Sequence, residues 1–247
     1  MSTSEIVDGG MIDRIDFNKE AATKAIHIAP GTIEAMKWIA AIVMTLDHIN
    51  TYLFNSAVPA LFAAGRLAMP LFMFILVYGL MQPGALASGV HLRVMKRLAI
   101  AGLVATPFML LLRHGLWWPI NIMFTLLVLT WILRLAGQGG AGPILAAAVV
   151  VVGAGAVVEF WWWALLYGIC VAMYCKTSSK WALLCGAIVL AALFVVNQNV
   201  WALAVFPIIL VAPKIKLNIP RIRHFFYIYF PAHLAIIYMA SLFVVIK

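Results

Sequence analysis

An aspartate and a histidine stand side by side, Asp47-His48, inside an apolar run that reads Met36-KWIAAIVMTLDHINTYLF-Asn55. The run is long enough to cross a bilayer, which takes about 20 residues of helix. A charge at the bilayer centre costs about 2.5–3.5 kcal/mol by insertion measurements. After Glu34 the chain's carboxylates are Asp47 and Glu159 alone, so an acid placed in this run implies a partner or a task. The next apolar run, Leu61-FAAGRLAMPLFMFILVYGL-Met81, supplies a candidate partner in Arg66. An imidazole takes and returns a proton near neutral pH, which makes His48 the candidate for chemistry. Helical spacing puts Met44, His48 and Tyr52 on one face and turns Asp47 about 100° away, so Asp47 cannot easily orient His48 itself. Asp47 with Arg66 reads either as a buried ion pair that fixes helix packing or, with His48 and His233, as a proton relay.

The remaining polar residues of the apolar body fall into two groups. His233 sits in Tyr227-IYFPAHLAII-Tyr238, one turn beyond Tyr229, with Pro231 as a kink between them. Asn121 and Thr125 are four apart and share a helix face. Glu159 closes an apolar run just before three consecutive tryptophans, Trp161, Trp162 and Trp163. Counted along their helices, Asp47, His48, Arg66, Asn121, Thr125 and Glu159 all fall in one half of the membrane. Arg93, Lys96 and Arg97, with Arg221 and Arg223, form a basic cluster on the other side.

Composition sets the elements that must position these groups. The chain of 247 residues is 66% hydrophobic and 10% charged, with a mean hydropathy of +1.06. A soluble protein of this size has no surface for so many apolar side chains. In lipid the backbone must satisfy itself, so the apolar runs read as helices, and the sparse alternation argues against an outer-membrane barrel. The expected fold is an all-α integral membrane protein, a bundle of about nine transmembrane helices. The candidate spans are 36–55, 58–81, 98–112, 119–136, 143–160, 161–175, 181–197, 199–213 and 225–246. Residues 1–32 form a polar tail, and 33–247 the membrane domain. The tail has no apolar stretch of the kind that a cleavable signal carries, so the first span is expected to be an uncleaved anchor.

Charge then sets the orientation. Of the 17 Lys and Arg, Arg14, Lys19, Lys24, Lys37, Arg93, Lys96, Arg97, Arg134, Lys176, Lys180, Lys214, Lys216, Arg221 and Arg223 fall on the amino-terminal side of a nine-span chain. Only Arg113 and Lys247 fall opposite, and Arg66 lies within the membrane. The positive-inside rule therefore places the amino terminus in the cytoplasm. The basic residues lie in short loops between apolar runs, so the net charge of +9 is a topology signal and no nucleic-acid partner is expected. Cys170, Cys175 and Cys185 match no zinc spacing and read as buried small hydrophobes.

Four blocks resemble the TraX family of conjugative pilin acetylases: Lys37-WIAAIVMTLDHIN-Thr51, Ala64-GRLAMPLFMFILVYGL-Met81, Pro119-INIMFTLLVLTW-Ile132 and Phe226-YIYFPAHLAII-Tyr238. Asp-His, then Gly-Arg-x-x-x-Pro-Leu-Phe, then Asn-Ile-x-Phe recur in order over about residues 35–240. The resemblance implies a membrane N-acetyltransferase that modifies the amino terminus of F-type pilin in the inner membrane of a plasmid-bearing Gram-negative cell. The implied donor is acetyl-coenzyme A.

Acetyl transfer to an amine needs a base for its proton and donors for the developing oxyanion. His48 is the natural base, or carries the acetyl group itself as an acyl-imidazole. Arg66 or Asn121 would serve the oxyanion, and Asp47 would hold Arg66. The donor's phosphates would meet Arg93, Lys96, Arg97, Arg221 and Arg223, and His233 is assigned to the same donor-binding set. A cytoplasmic donor and a histidine in the outer half pose a distance problem, which a slim pantetheine arm threading between helices would bridge. A proton- or ion-coupled transporter is the alternative reading of the same polar cluster, though the chain shows no internal repeat. A non-catalytic scaffold for pilus assembly leaves Asp47-His48 without a task.

Overall fold

The computed structural model describes residues 26–244. Arg14, Lys19, Lys24, Lys247 and most of the expected tail lie outside the described residues. Among those described the fold is all helical, with one isolated parallel bridge between Ile120 and Val158. The helices are α1 (Pro30–Leu53), α2 (Pro59–Gly65), α3 (Ala68–Leu80), α4 (Val90–Leu112), α5 (Ile122–Gln138), α6 (Ala141–Gly155), α7 (Trp161–Thr177), α8 (Lys180–Ala192), α9 (Phe194–Asn197), α10 (Val205–Val211) and α11 (Phe225–Val244). Short 3₁₀ turns, Trp201–Ala204 and Ala212–Lys214, flank α10.

Local chemistry explains many of the ends. Proline opens α1 and α2, where its missing N–H is not needed. Asn121 caps α5 by accepting from the Met123 N–H at 3.1 Å, and Ser179 caps α8 by accepting from the Trp181 N–H at 3.3 Å. Gly139, with φ of 72°, ends α5. Four stretches are long and apolar enough to cross a membrane: Pro59–Leu80, Val90–Leu112, Lys180–Asn197 and Phe225–Phe243. Ile122–Gln138, Ala141–Gly155 and Trp201–Lys214 are apolar but shorter.

The boundaries depart from hydropathy where charge and helix disagree. The run expected at 98–112 is helical from Val90, because Arg93, Lys96 and Arg97 extend the helix past its apolar part. The run expected at 143–160 ends as a helix at Gly155, which leaves Glu159 in a turn. Of residues 26–29, expected in the polar tail, Ile28 packs inward: it is buried and its N–H donates to the Tyr78 hydroxyl at 2.9 Å.

α3 forms the centre, with Leu71, Met73, Phe74 and Val77 fully buried, as an all-round apolar helix requires. α1 and α11 run parallel: Lys37 lies over the Phe226 ring, Thr45 meets Tyr229 and His48 meets His233. α1 and α3 run antiparallel, with Ile28 at Tyr78 and Asp47 at Arg66. α4 and α5 are antiparallel as well, with Asn121 at Gly102 and Leu86 at Gly137. α7 returns along α3 and α5, through Tyr167 to Pro70 and Gly168 to Leu129. The outer faces carry exposed aliphatics such as Leu103, Leu145, Val152 and Ile236. A monomer in water rarely exposes apolar surface on that scale, and a lipid-facing bundle requires it.

Candidate functional site

His48 and His233 are hydrogen-bonded to each other, Nδ1 to Nε2, at 2.8 Å. Nδ1 of His233 lies 3.1 Å from the Tyr229 carbonyl oxygen. A carbonyl can only accept, so this Nδ1 carries the hydrogen, and Nε2 of the same neutral ring is an acceptor. His48 must then donate from its own Nδ1, which leaves the His48 Nε2 lone pair uncommitted. The ring planes of His48 and His233 lie 6° apart and those of His233 and Tyr229 10° apart, and the Tyr229 hydroxyl meets Thr45 Oγ1 at 2.7 Å. Parallel packing of α1 on α11 brings these groups together, and the one-turn spacing of Tyr229 and His233 puts both on the face toward α1.

Asp47 faces away from His48, as its place one residue on requires. Its Oδ2 accepts from Arg66 Nη2 at 2.5 Å, and Arg66 Nη1 donates to Asn197 Oδ1 at 3.3 Å. The Arg66 guanidinium also lies over the Phe62 ring at 4.2 Å. Arg66 sits at the break between α2 and α3, and Asp47 rests directly against Gly65. A Cβ at Gly65 would overlap the Asp47 side chain, which gives the Gly-Arg pair of the second run a physical reason.

His48, Asp47 and Arg66 line one cavity of about 870 Å³, which also reaches Lys37, Arg93, Arg97, Arg221, Arg223 and His224. That volume is near the top of the ~300–1,000 Å³ range for small-molecule sites. Lys37 marks the basic mouth, and His48 lies about 16 Å farther along α1 at ~1.5 Å per residue. Two buried residues of α1 build this mouth. Glu34 accepts from Lys37 Nζ at 2.8 Å and from the Ile222 N–H at 3.4 Å. Thr32 Oγ1 donates to the Ile215 carbonyl at 2.7 Å and accepts from the Leu217 N–H at 3.2 Å. Together they hold residues 215–223, with Arg221 and Arg223, against the start of α1.

At the far end of the cavity stand Pro119, Ile122, Glu159, Phe160 and Trp161. Here the Ile120 N–H donates to the Val157 carbonyl at 3.0 Å, and the Glu159 N–H to the Ile120 carbonyl at 3.1 Å. Thr125 Oγ1 donates to the Glu159 carbonyl at 3.2 Å. Asn121 Nδ2 donates to the Gly102 carbonyl and to Thr106 Oγ1, each at 3.1 Å. Burial pushes the Glu159 carboxyl up to about 7, against the pull of Arg113, Arg66 and the Ile122 N–H.

Of the residues singled out in the sequence, Asp47, His48, Arg66, Arg93, Arg97, Arg221 and Arg223 thus share one cavity wall. His233 stands behind His48 and is not part of that wall. Lys96 is exposed and off the wall, since Arg93 and Arg97 are four apart on one face and Lys96 is turned aside. Asn121 is also off the wall, with its amide spent on holding α5 to α4. Lys37, Glu34, Thr32 and Asn197 did not stand out in the sequence. The spacing of Glu34 and Lys37, three apart on a helix, was the one available signal. No group of three or more potential metal ligands occurs among the described residues.

The family model described as TraX protein matches residues 32–241 of this chain. No curated protein and no solved structure gives a significant match.

Proposed function

The chain belongs to the TraX family, and from that premise we propose that it is a membrane-embedded N-acetyltransferase acting on the amino terminus of conjugative pilin, with acetyl-coenzyme A as donor. One observation carries this reading. A single cavity joins a mouth of Lys37, Arg93, Arg97, Arg221 and Arg223 to His48, and His48 turns an uncommitted lone pair away from its partner His233.

The donor supplies an acyl group activated as a thioester. The mouth suits its phosphates, which arginine forks bind by charge-assisted hydrogen bonds. The span of about 16 Å from Lys37 to His48 along this cavity suits a thin arm reaching from a cytoplasmic donor to a deep histidine. In the chemical step the amine nitrogen attacks the thioester carbonyl carbon, and His48 Nε2 takes the proton that nitrogen loses. The carbon–sulfur bond breaks, and the proton passes to the departing thiolate. Arg66 and the Asn197 amide, both on the wall, face the negative charge that develops on the carbonyl oxygen. Asp47 holds Arg66 in place.

The basic mouth is assigned to the cytoplasm by the positive-inside rule, in an inner membrane. The antiparallel pairs α1/α3 and α4/α5 and the parallel pair α1/α11 support a nine-pass path, in which α1, α7 and the shorter apolar helices also cross, so that α1 and α11 end on the same side. Intact-mass measurement of pilin co-expressed with this protein tests the reading. A gain of one acetyl group at the amino terminus is expected, and pilin of unchanged mass would defeat it.

A further inference from the structure

Glu159 is a carboxylate on the wall of the reaction cavity for which no ion pair occurs among the described residues. Asp47 and Glu34, by contrast, are each paired with a cation. The backbone around Glu159 is built with unusual care. The Ile120–Val158 bridge and the Thr125 hydroxyl fix the turn from the segment that opens α5, and the Asn121 amide ties that segment to α4. The next two residues, Phe160 and Trp161, hold φ of 61° and 54°, a left-handed conformation that bulky side chains rarely adopt. Such strain persists where the surroundings impose it, and it clusters at binding sites. It turns two aromatic side chains toward the same cavity, beside Pro119 and Ile122.

We propose that this end of the cavity is the acceptor subsite, and that Glu159 binds the ammonium form of a primary amine at a chain terminus and removes its first proton. The inference rests on the acetyltransferase reading and completes its proton balance. An ammonium has no lone pair and cannot attack. Glu159 takes one proton from it, giving a neutral amine and a carboxylic acid. The neutral amine then attacks the thioester, and His48 takes the second proton. The aromatic pair and Pro119 favour an amine with apolar or small neighbours over one beside further charge. The groups that face Glu159 are Arg113 at the end of α4, Arg66 between α2 and α3, and Asp47 and Tyr52 on α1. Burial raises the Glu159 carboxyl toward the range of an α-amine, which narrows the gap that a proton must cross between them.

The test uses the full-length protein in detergent with acetyl-coenzyme A and pilin bearing a free amino terminus. Initial rates are compared from pH 6.5 to 9.5 for the unmodified protein, Glu159→Gln and Glu159→Asp. Glutamine keeps an acceptor for the Ile122 N–H and loses only the charge and the base. At pH 7 about one α-amine in ten is already neutral, so the Glu159→Gln protein should lose roughly tenfold in kcat/KM for pilin. The deficit should shrink to within about threefold at pH 9.5, where the amine is already neutral. Coenzyme A binding should be unchanged, and Glu159→Asp should recover part of the rate. A deficit equal at every pH, or no deficit, would overturn the role of Glu159 while leaving the acetyltransferase reading intact. An unmodified protein that acetylates no pilin would overturn both.

Discussion

Replacing His233 by alanine removes the acceptor that holds the His48 Nδ1 hydrogen. His48 then loses both its orientation and the tautomer that leaves Nε2 free. The lost contact is one buried hydrogen bond of 2.8 Å, worth about 1–3 kcal/mol when its partner is left unsatisfied. If that energy is needed in the transition state, kcat falls roughly 5- to 150-fold. The KM for acetyl-coenzyme A should hold within about twofold, because His233 stands behind the cavity wall and touches no part of the basic mouth. Glutamine at this position offers a carbonyl oxygen to the same hydrogen, so His233→Gln should recover most of the rate. The assay is the initial rate of pilin acetylation per folded protein, with kcat and KM measured separately. An alanine protein with unchanged kcat would refute the reasoning, as would a glutamine protein as slow as the alanine one.

The basic mouth gives a contrast between neighbours: Arg93→Glu or Arg223→Glu should raise the donor KM roughly tenfold, whereas Lys96→Glu, off the cavity wall, should leave it unchanged in the same rate assay. Asp47→Asn strands Arg66 without its countercharge and should destabilise the protein by about 3–5 kcal/mol, read as a lower thermal midpoint in detergent. Gly65→Ala, which pushes Asp47 off its seat, should move that midpoint in the same direction. For topology, reporter fusions after Gln138 and after Asn197 should read cytoplasmic and external respectively, and the same reading at both would contradict the nine-pass path.

The Asp47–Arg66 pair was legible in the sequence because two opposite charges in adjacent apolar runs have few other ways to be tolerated. The all-helical class followed from the same scarcity of charge. The His48–His233 bond was not legible. Helical spacing gives the face that each histidine occupies on its own helix, but it carries no information on how α1 and α11 rotate about each other. Asn121 and Thr125 show the same limit. Their shared face was evident, yet their bonds go to Gly102, Thr106 and the Glu159 carbonyl, which lie on neighbouring segments. Hydropathy placed Arg93 and Arg97 outside a span and hid the fact that one helix carries them to the cavity mouth. It also ran Glu159 into a span, when the helix ends four residues earlier and a turn presents the carboxylate. Thr32 and Glu34 support a loop more than 180 residues away, a relation with no local periodicity to reveal it.

The most direct test of the account is the mass of pilin made beside a His48→Ala protein. The substitution removes the Nε2 base and leaves the Asp47–Arg66 pair and the basic mouth in place, so the protein should insert and accumulate normally. General-base catalysis is worth about 10²–10⁴ in rate. Pilin should therefore remain at its unacetylated mass, while pilin made beside the unmodified protein gains one acetyl group. Acetylated pilin in near-normal yield per molecule of folded His48→Ala protein would contradict the account.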